Sequence, residues 1–447
     1  VDGGCDLRMI YTAEDGCIYA FSQSRPFTRH CEKSEFLNSV DATSTVNVSY
    51  VNCRATGTKR AEIKAGLVIK FTVFCEEKES VVSLGGTKGI EQKTLPVKAV
   101  SLGCRKTRSF SMSDTITLNS PAAFIVSTYA SAVCTEIRKI SNKVMIKGDA
   151  VIEACYVNAN DKSVCEHIKH SIPINQILEF EGMDEKYNGN VALKVTALDI
   201  IPKGESSGIA TAFDISLGID ASVTMWEGKE LLVISDAYSV EANIDLKKSA
   251  LVFLTYPDEL HSPFVFDGSF SVSGEGVAEI CDSTGTVSVA SVKVENGELQ
   301  INGSLSVALI IKDASGSLSS ASKIFDYQYK CKADFEIADI VCEPCVTLVS
   351  LDCTVKDNSS VDVRAQLNID GSVFGKMLID CVCDISESDT PVCRKNNAIT
   401  VYFPQSENES LWSIARRYNT TVNAIARENS LEGETTEKLK MLFIPSA

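Results

Sequence analysis

ESLWSIARRYNTTVNAIARENSL, running from Glu409 to Leu431, carries two short helical stripes back to back. Leu411, Ile414, Ala415 and Tyr418 fall at i, i+3, i+4 and i+7, the spacing that puts apolar side chains on one helix face. Ser410 stands just before them, where its hydroxyl can accept from an unpaired amide of the first turn. Thr421 stands in the same relation to Val422, Ile425 and Ala426. On either side are short apolar runs of strand type, Ile399 to Phe403 and Met441 to Ile444. The pattern predicts strand, helix, helix, strand over 398–447.

That segment resembles the LysM module through Leu411, Trp412, Ile414, Ala415, Tyr418, Val422, Ile425, Asn429, Ile444 and Pro445. The resemblance implies binding of N-acetylglucosamine-containing glycans, peptidoglycan or a chitin-like oligomer, in a shallow groove between two loops. By position the groove would use Asn408, Glu409, Ser410 and Leu411 on one side and Asn429, Ser430, Leu431 and Glu432 on the other. Asn408-Glu409 replaces the family's usual Gly-Asp, so the backbone there should approach an acetamido group less closely. Arg416, Arg417, Arg427, Lys438 and Lys440 face six glutamates in the segment, so no charge field advertises an anionic ligand.

The rest of the chain reads as β structure. Val46, Val48 and Tyr50 alternate with Asn47 and Ser49. Similar runs occupy Val191 to Leu198, Leu231 to Ile234, Leu305 to Ile311, Val361 to Ile369 and Val373 to Val382. Turn signals such as Glu14-Asp15-Gly16 and Asn296-Gly297 punctuate them, and no long helical stripe occurs before Ser410. The sequence also repeats: Ala13-Glu14-Asp15 returns as Ala159-Asn160-Asp161, and Ile146-Lys147-Gly148 as Ile301-Asn302-Gly303. These observations predict a mainly β chain of tandem antiparallel sandwich-like modules, followed by a small α+β domain. The expected boundaries are module 1 at 1–93, connector strands at 94–140, module 2 at 141–240, connector strands at 241–292, module 3 at 293–390, and the LysM domain at 398–447. A chain of 447 residues accommodates that number of domains. It opens on Val1, so the first module is expected to lack its beginning.

A net charge of −16 argues against nucleic acid and anionic membrane surfaces as partners, and no apolar run reaches the length of a membrane span. The 17 cysteines are dispersed through domains too large to need staples, which points to a reducing compartment. Cys342-Glu343-Pro344-Cys345 has half-knuckle spacing, but the pair downstream, Cys381 and Cys383, is a CxC, so buried or incidental thiols are the expected reading. His167 and His170 are read as lying on an exposed strand or loop. Glu407 and Glu409 beside Trp412 are read as solvated residues near a helix start rather than as a glycosidase pair. Gly85-Gly86-Thr87-Lys88 lacks phosphate-loop spacing, and Arg105-Lys106-Thr107-Arg108 is read as a polar sheet edge. No catalytic residue, metal ligand set or cofactor is expected.

β repeats ending in a LysM module resemble a repeat family of endospore-forming bacteria. The residues that carry the likeness include Arg105 to Leu118, Ser141 to Ala150, Ser235-Asp-Ala-Tyr-Ser239 and the LysM segment. The resemblance implies a non-enzymatic adaptor of spore-coat assembly, at the forespore surface in the mother cell or in the coat. Its LysM module would then contact either glycan or a coat scaffold protein. The alternatives are a carbohydrate-binding protein of the cell wall, or a LysM-targeted wall hydrolase.

Overall fold

A computed structural model describes every residue except 15, 33–38, 58–59, 76–80, 83–88, 205–208, 256–257, 274–275, 296, 333–338, 389–399, 405–408, 432–440 and 446–447. Gly85 to Lys88 lies outside the described residues.

The alternating runs become antiparallel strands. β1 (Asp2–Thr12) and β2 (Ile18–Thr28) form a hairpin, and β3 (Ser39–Gly57) and β4 (Arg60–Cys75) a two-stranded ribbon. β5 (Ile90–Ile140), β6 (Lys143–Asn158), β7 (Cys165–Glu179), β8 (Asn188–Lys203) and β9 (Ala210–Ser239) form one sheet in the order β7-β6-β5-β9-β8. Next come β10 (Ile244–Leu254), β11 (Asp258–Ser271), and a meander of β12 (Glu279–Glu295), β13 (Glu298–Lys312) and β14 (Leu318–Lys332). β15 (Ile340–Cys342), β16 (Cys345–Asp357), β10 and β11 all pair with the long β17 (Ser360–Glu387). Gly16 and Gly297, in two of the expected turns, have φ of 75° and 76°, which glycine adopts without Cβ strain. The stretches expected as connectors are strands: β5 runs through all of 94–140, and β10 and β11 lie within 241–292.

By compactness the chain divides into two units. The larger comprises 1–77, 101–227 and 256–375, and the smaller 78–100, 228–255 and 376–447. Each is discontinuous because strands distant in sequence complete one another's sheets.

In the larger unit one core gathers Ile152, Tyr156, Ile174, Phe213, Leu217 and Ile219, and another Leu305, Val307, Leu309, Val363, Ala365 and Leu367. Burial of each Val, Leu, Ile or Phe side chain among them contributes about 1.5–3 kcal/mol. The internal repeat is also one of geometry. β5 is bulged between Ile125 and Ser127 and again between Cys134 and Glu136. β12 is bulged 155 residues on at both places, between Ile280 and Asp282 and between Val289 and Ser291. Gly148 and Gly303 sit opposite the second bulge of each pair. A Cβ on either would run into the carbonyl of Val133 or Ser288, so the close strand approach requires glycine. β3 and β8 share a third bulge, Val48/Tyr50 and Val195/Ala197, 147 residues apart.

The basic run on β5 does more than face solvent. Arg105 bonds Thr224 and lies 3.7 Å over the Phe74 ring, while Lys106 and Arg108 donate to the carbonyls of Glu181 and Glu179. The run therefore braces β5 to its neighbours.

In the smaller unit, Val97, Ala99, Val233, Leu251 and Cys381 form one core and Ile234, Ala237 and Val382 another. The unit ends in β18 (Thr400–Tyr402), α1 (Leu411–Arg417), α2 (Val422–Glu428) and β19 (Leu442–Ile444), the expected strand, helix, helix, strand.

Candidate functional site

The C-terminal module is assembled by local signals. Ser410 has extended backbone and accepts from the Ser413 amide at 3.2 Å; Thr421 accepts from the Ala424 amide at 3.0 Å. Each hydroxyl thereby satisfies an otherwise unpaired donor of its helix. Asn419 and Ser430 follow the two helices at φ 50°, which lets the chain turn sharply within one residue. β18 and β19 pair antiparallel, Thr400 to Ile444, Val401 to Phe443 and Tyr402 to Leu442. Leu411, Ile414, Ala415, Ile425 and Leu442 are fully buried between helices and sheet.

That small core is completed from elsewhere in the unit. Tyr238, near the end of β9, belongs to the same cluster and meets Trp412 edge-on at 4.8 Å between ring centroids. Its hydroxyl donates to the Thr420 carbonyl at 2.8 Å. Two residues earlier on the same strand face, Asp236 accepts from Trp412 Nε1 at 2.8 Å and from Arg416 at 3.0 and 3.2 Å, and Lys248 approaches at 3.0 Å. Burial pushes the Asp236 carboxyl up, but Trp412, Lys248 and Arg416 outweigh it and hold the group below the ordinary carboxylate range. Ala237, between the two, faces the other way into the Ile234 and Val382 core. The stretch Ser235 to Ser239 is thus a docking strip with period-two chemistry. Its motif was visible in the sequence, but its use was not.

The expected groove residues are placed as follows. Asn408 and Glu432, like Glu407, lie outside the described residues. Glu409 is held by the Tyr402 hydroxyl at 2.8 Å and by Arg417 at 3.2 Å, with its side chain 13% exposed. Ser410 is exposed but committed to the helix cap, and Leu411 is buried. Asn429 acts as a peptide-like clip. Its amide donates to the Ile425 and Phe443 carbonyls at 2.8 and 2.7 Å, and its oxygen accepts from the Phe443 amide at 2.7 Å. Ser430 is exposed, and Leu431 packs against the core. Glu409 is thus tied to β18 and α1, and Asn429 to β19.

A second surface feature was missed in the sequence. Val401, Phe403, Met441 and Phe443 are 45%, 64%, 46% and 38% exposed. Strand alternation and the Val401–Phe443 pairing place all four on the outer face of β18 and β19. Alternation in these short runs could have shown it.

Other candidate chemistry is dispersed. Cys342 and Cys345 belong to the larger unit, whereas Cys381 and Cys383 belong to the smaller, where each thiol donates to a nearby backbone carbonyl at 3.6 Å. His170 bonds Asp114 and His261 bonds Asp370, both at 2.7 Å. No helix among the described residues is long and apolar enough to cross a membrane.

A β-rich chain whose terminal strand–helix–helix–strand module docks on one of its long strands defines a class of modular binding protein. Residues 406–437 match the family model of the LysM domain, and residues 122–201, from β5 to β8, match that of the SipL, SPOCS domain. The resemblance read from the sequence, to a SipL-like protein with a C-terminal LysM, is thereby borne out, as is the mainly β fold class. Both matched domains are non-catalytic binding modules. Neither a curated protein nor a solved structure matches the chain.

Proposed function

We propose that the protein is a non-enzymatic adaptor of the spore envelope, acting in spore-coat assembly, with its LysM module making the recognition contact. The observation that carries this reading is the pairing of a SPOCS domain with a LysM domain on one chain. The module's ligand would be an N-acetylglucosamine glycan of peptidoglycan type, taken by the loops around Asn408 to Leu411 and Asn429 to Glu432. With the Glu409 and Asn429 side chains already bonded, glycan recognition there would rest on backbone groups and the exposed Ser430.

A coat scaffold protein is the second reading, favoured by the apolar face of Val401, Phe403, Met441 and Phe443. Such a patch beside polar loops suits protein contact better than a hydroxyl-rich sugar. Three repeats, each with strand edges, could offer further surfaces for partner strands.

The full chain should be titrated with N-acetylglucosamine oligomers and sedimented with purified peptidoglycan. Segment 398–447 is a poor substitute, since it omits Tyr238 and Asp236. Saturable binding weakened by Ser430→Trp, with binding unchanged in Phe403→Ser, supports the glycan reading. No heat and no co-sedimentation from a folded chain would remove it. Capture of a coat protein from sporulating cells, lost with Phe403→Ser, would then support the second reading.

A further inference from the structure

In the larger unit, three side chains with metal-ligating atoms converge where β6 and β7 meet β12. Cys155 and His167 are directly opposite across β6 and β7, so both stand on one face of the sheet. Asp282 arrives from β12 at the bulge between Ile280 and Asp282. That bulge leaves Cys281 out of the ladder and re-aims its neighbour. The Cys155 thiol donates to the Cys281 carbonyl at 3.1 Å, fixing β12 against β6. The ligand atoms of Cys155, His167 and Asp282 all lie within 4.8 Å of one another. Cys155 is 1% and Asp282 6% exposed, while His167 is open to solvent.

We propose that Cys155, His167 and Asp282 bind a divalent transition-metal ion, zinc by preference, which ties the SPOCS domain to the first strand of the following β meander. A buried carboxylate beside a buried thiol is costly as two anions and leaves polar groups poorly served as two acids; a dication between them resolves both. One sulfur, one imidazole nitrogen and one carboxylate oxygen form a borderline set that suits zinc better than magnesium or calcium. Tetrahedral zinc holds its ligand atoms about 3.5 Å apart, so the cluster needs only a small closure. A water would complete the tetrahedral set, as it does in zinc sites with three protein ligands. Ser127 donates to Asp282 Oδ1 at 2.9 Å, the kind of outer contact that orients a ligating carboxylate. Arg8 and Lys312 add positive field around Asp282 and Cys281 without offering a lone pair. The cluster borders a 360 Å³ cleft, which gives an ion a path in from solvent.

The internal repeat sharpens the assignment. At the matching bulge of β5, 155 residues earlier, Val126 and Ser127 stand where β12 has Cys281 and Asp282. The shared bulge is a feature of the fold, whereas among the described residues such a ligand cluster occurs only at this junction.

The test uses the full chain, reduced, loaded with zinc and desalted, with metal content measured against protein. About one zinc per chain is expected to stay bound, raising the melting temperature. His167→Gln and Asp282→Asn should each lose that zinc while retaining the β-type circular dichroism. Asp282→Asn keeps the size of the side chain and an acceptor for Ser127, so it separates lost ligation from misfolding. A Cys342→Ser, Cys345→Ser double variant should retain the zinc. Loaded with cobalt instead, the chain should show a thiolate charge-transfer band that vanishes in Cys155→Ser. No retained zinc, zinc retained equally by the His167 and Asp282 variants, or a cobalt band that survives Cys155→Ser would each overturn the assignment. None of these readouts depends on the glycan or adaptor reading.

Discussion

Asp236→Ala is the substitution that most directly tests whether the LysM module is built onto β9 or merely follows it. The wild-type carboxylate accepts from the half-buried Trp412 indole and from Arg416 and Lys248, and its side chain is 16% exposed. The indole bond to a charged acceptor is worth about 1.5–3 kcal/mol. Arg416 and Lys248 are 51% and 40% exposed, so solvent screening holds each pair to about 0.2–1 kcal/mol. The sum is about 2–5 kcal/mol, lost from the stability of the smaller unit. Trp226 and Trp412 are the two tryptophans, so Trp226→Phe makes Trp412 the sole indole reporter. Urea unfolding followed by that fluorescence should shift to clearly lower denaturant in Asp236→Ala, with an unchanged slope. A shift worth less than about 0.5 kcal/mol would refute the docking argument, since the contacts would then be incidental. The same carboxyl gives a pH signature. Its folded-state pKa is depressed, so its contribution is complete above the unfolded value of about 3.9 and is lost as pH falls through the lower folded value. Asp236→Asn should flatten the acid side of the stability profile of the Trp412 transition.

Other residues give independent checks. Tyr238→Phe removes only the hydroxyl bond to Thr420 and should cost about 1 kcal/mol, whereas Tyr238→Ala empties a core position and should cost about 3–5 kcal/mol by the same fluorescence measurement. Asn429→Ala strips three hydrogen bonds, two of them between the end of α2 and β19, and should lower stability by about 1–3 kcal/mol, with amide exchange at Phe443 accelerated. Gly303→Ala should sharply lower the melting temperature, because its methyl group meets the Ser288 carbonyl and the Tyr327 ring; Gly228→Ala, with nothing within 4 Å, should leave it unchanged. Phe403→Ser, at a side chain 64% exposed, should leave stability within about 0.5 kcal/mol of wild type.

The helix caps Ser410 and Thr421 were legible because a cap is a contact between residues three apart, and the alternating strands because a period of two is a local property. Locality does not show which partner, distant along the chain, each residue meets. His167 and His170 are three apart on a strand, so they face opposite ways: one stands beside Cys155, the other bonds Asp114. The groove residues were placed by likeness, and apart from the Ser410 cap their side-chain duties, Asn429 as clip and Glu409 as ion-pair partner, could not be read from the pattern.

The amino-acid sequence by itself determined the β class, the terminal strand–helix–helix–strand module and the repeat, since each rests on chain neighbours or on a pattern recurring along the chain. Only the tertiary structure decided that Asp236 and Tyr238 complete the LysM core, and that Cys155, His167 and Asp282 meet. Both outcomes depend on strand register, and the second also on the bulge in β12. In a sheet, a shift of one residue would turn every one of these side chains to the opposite face.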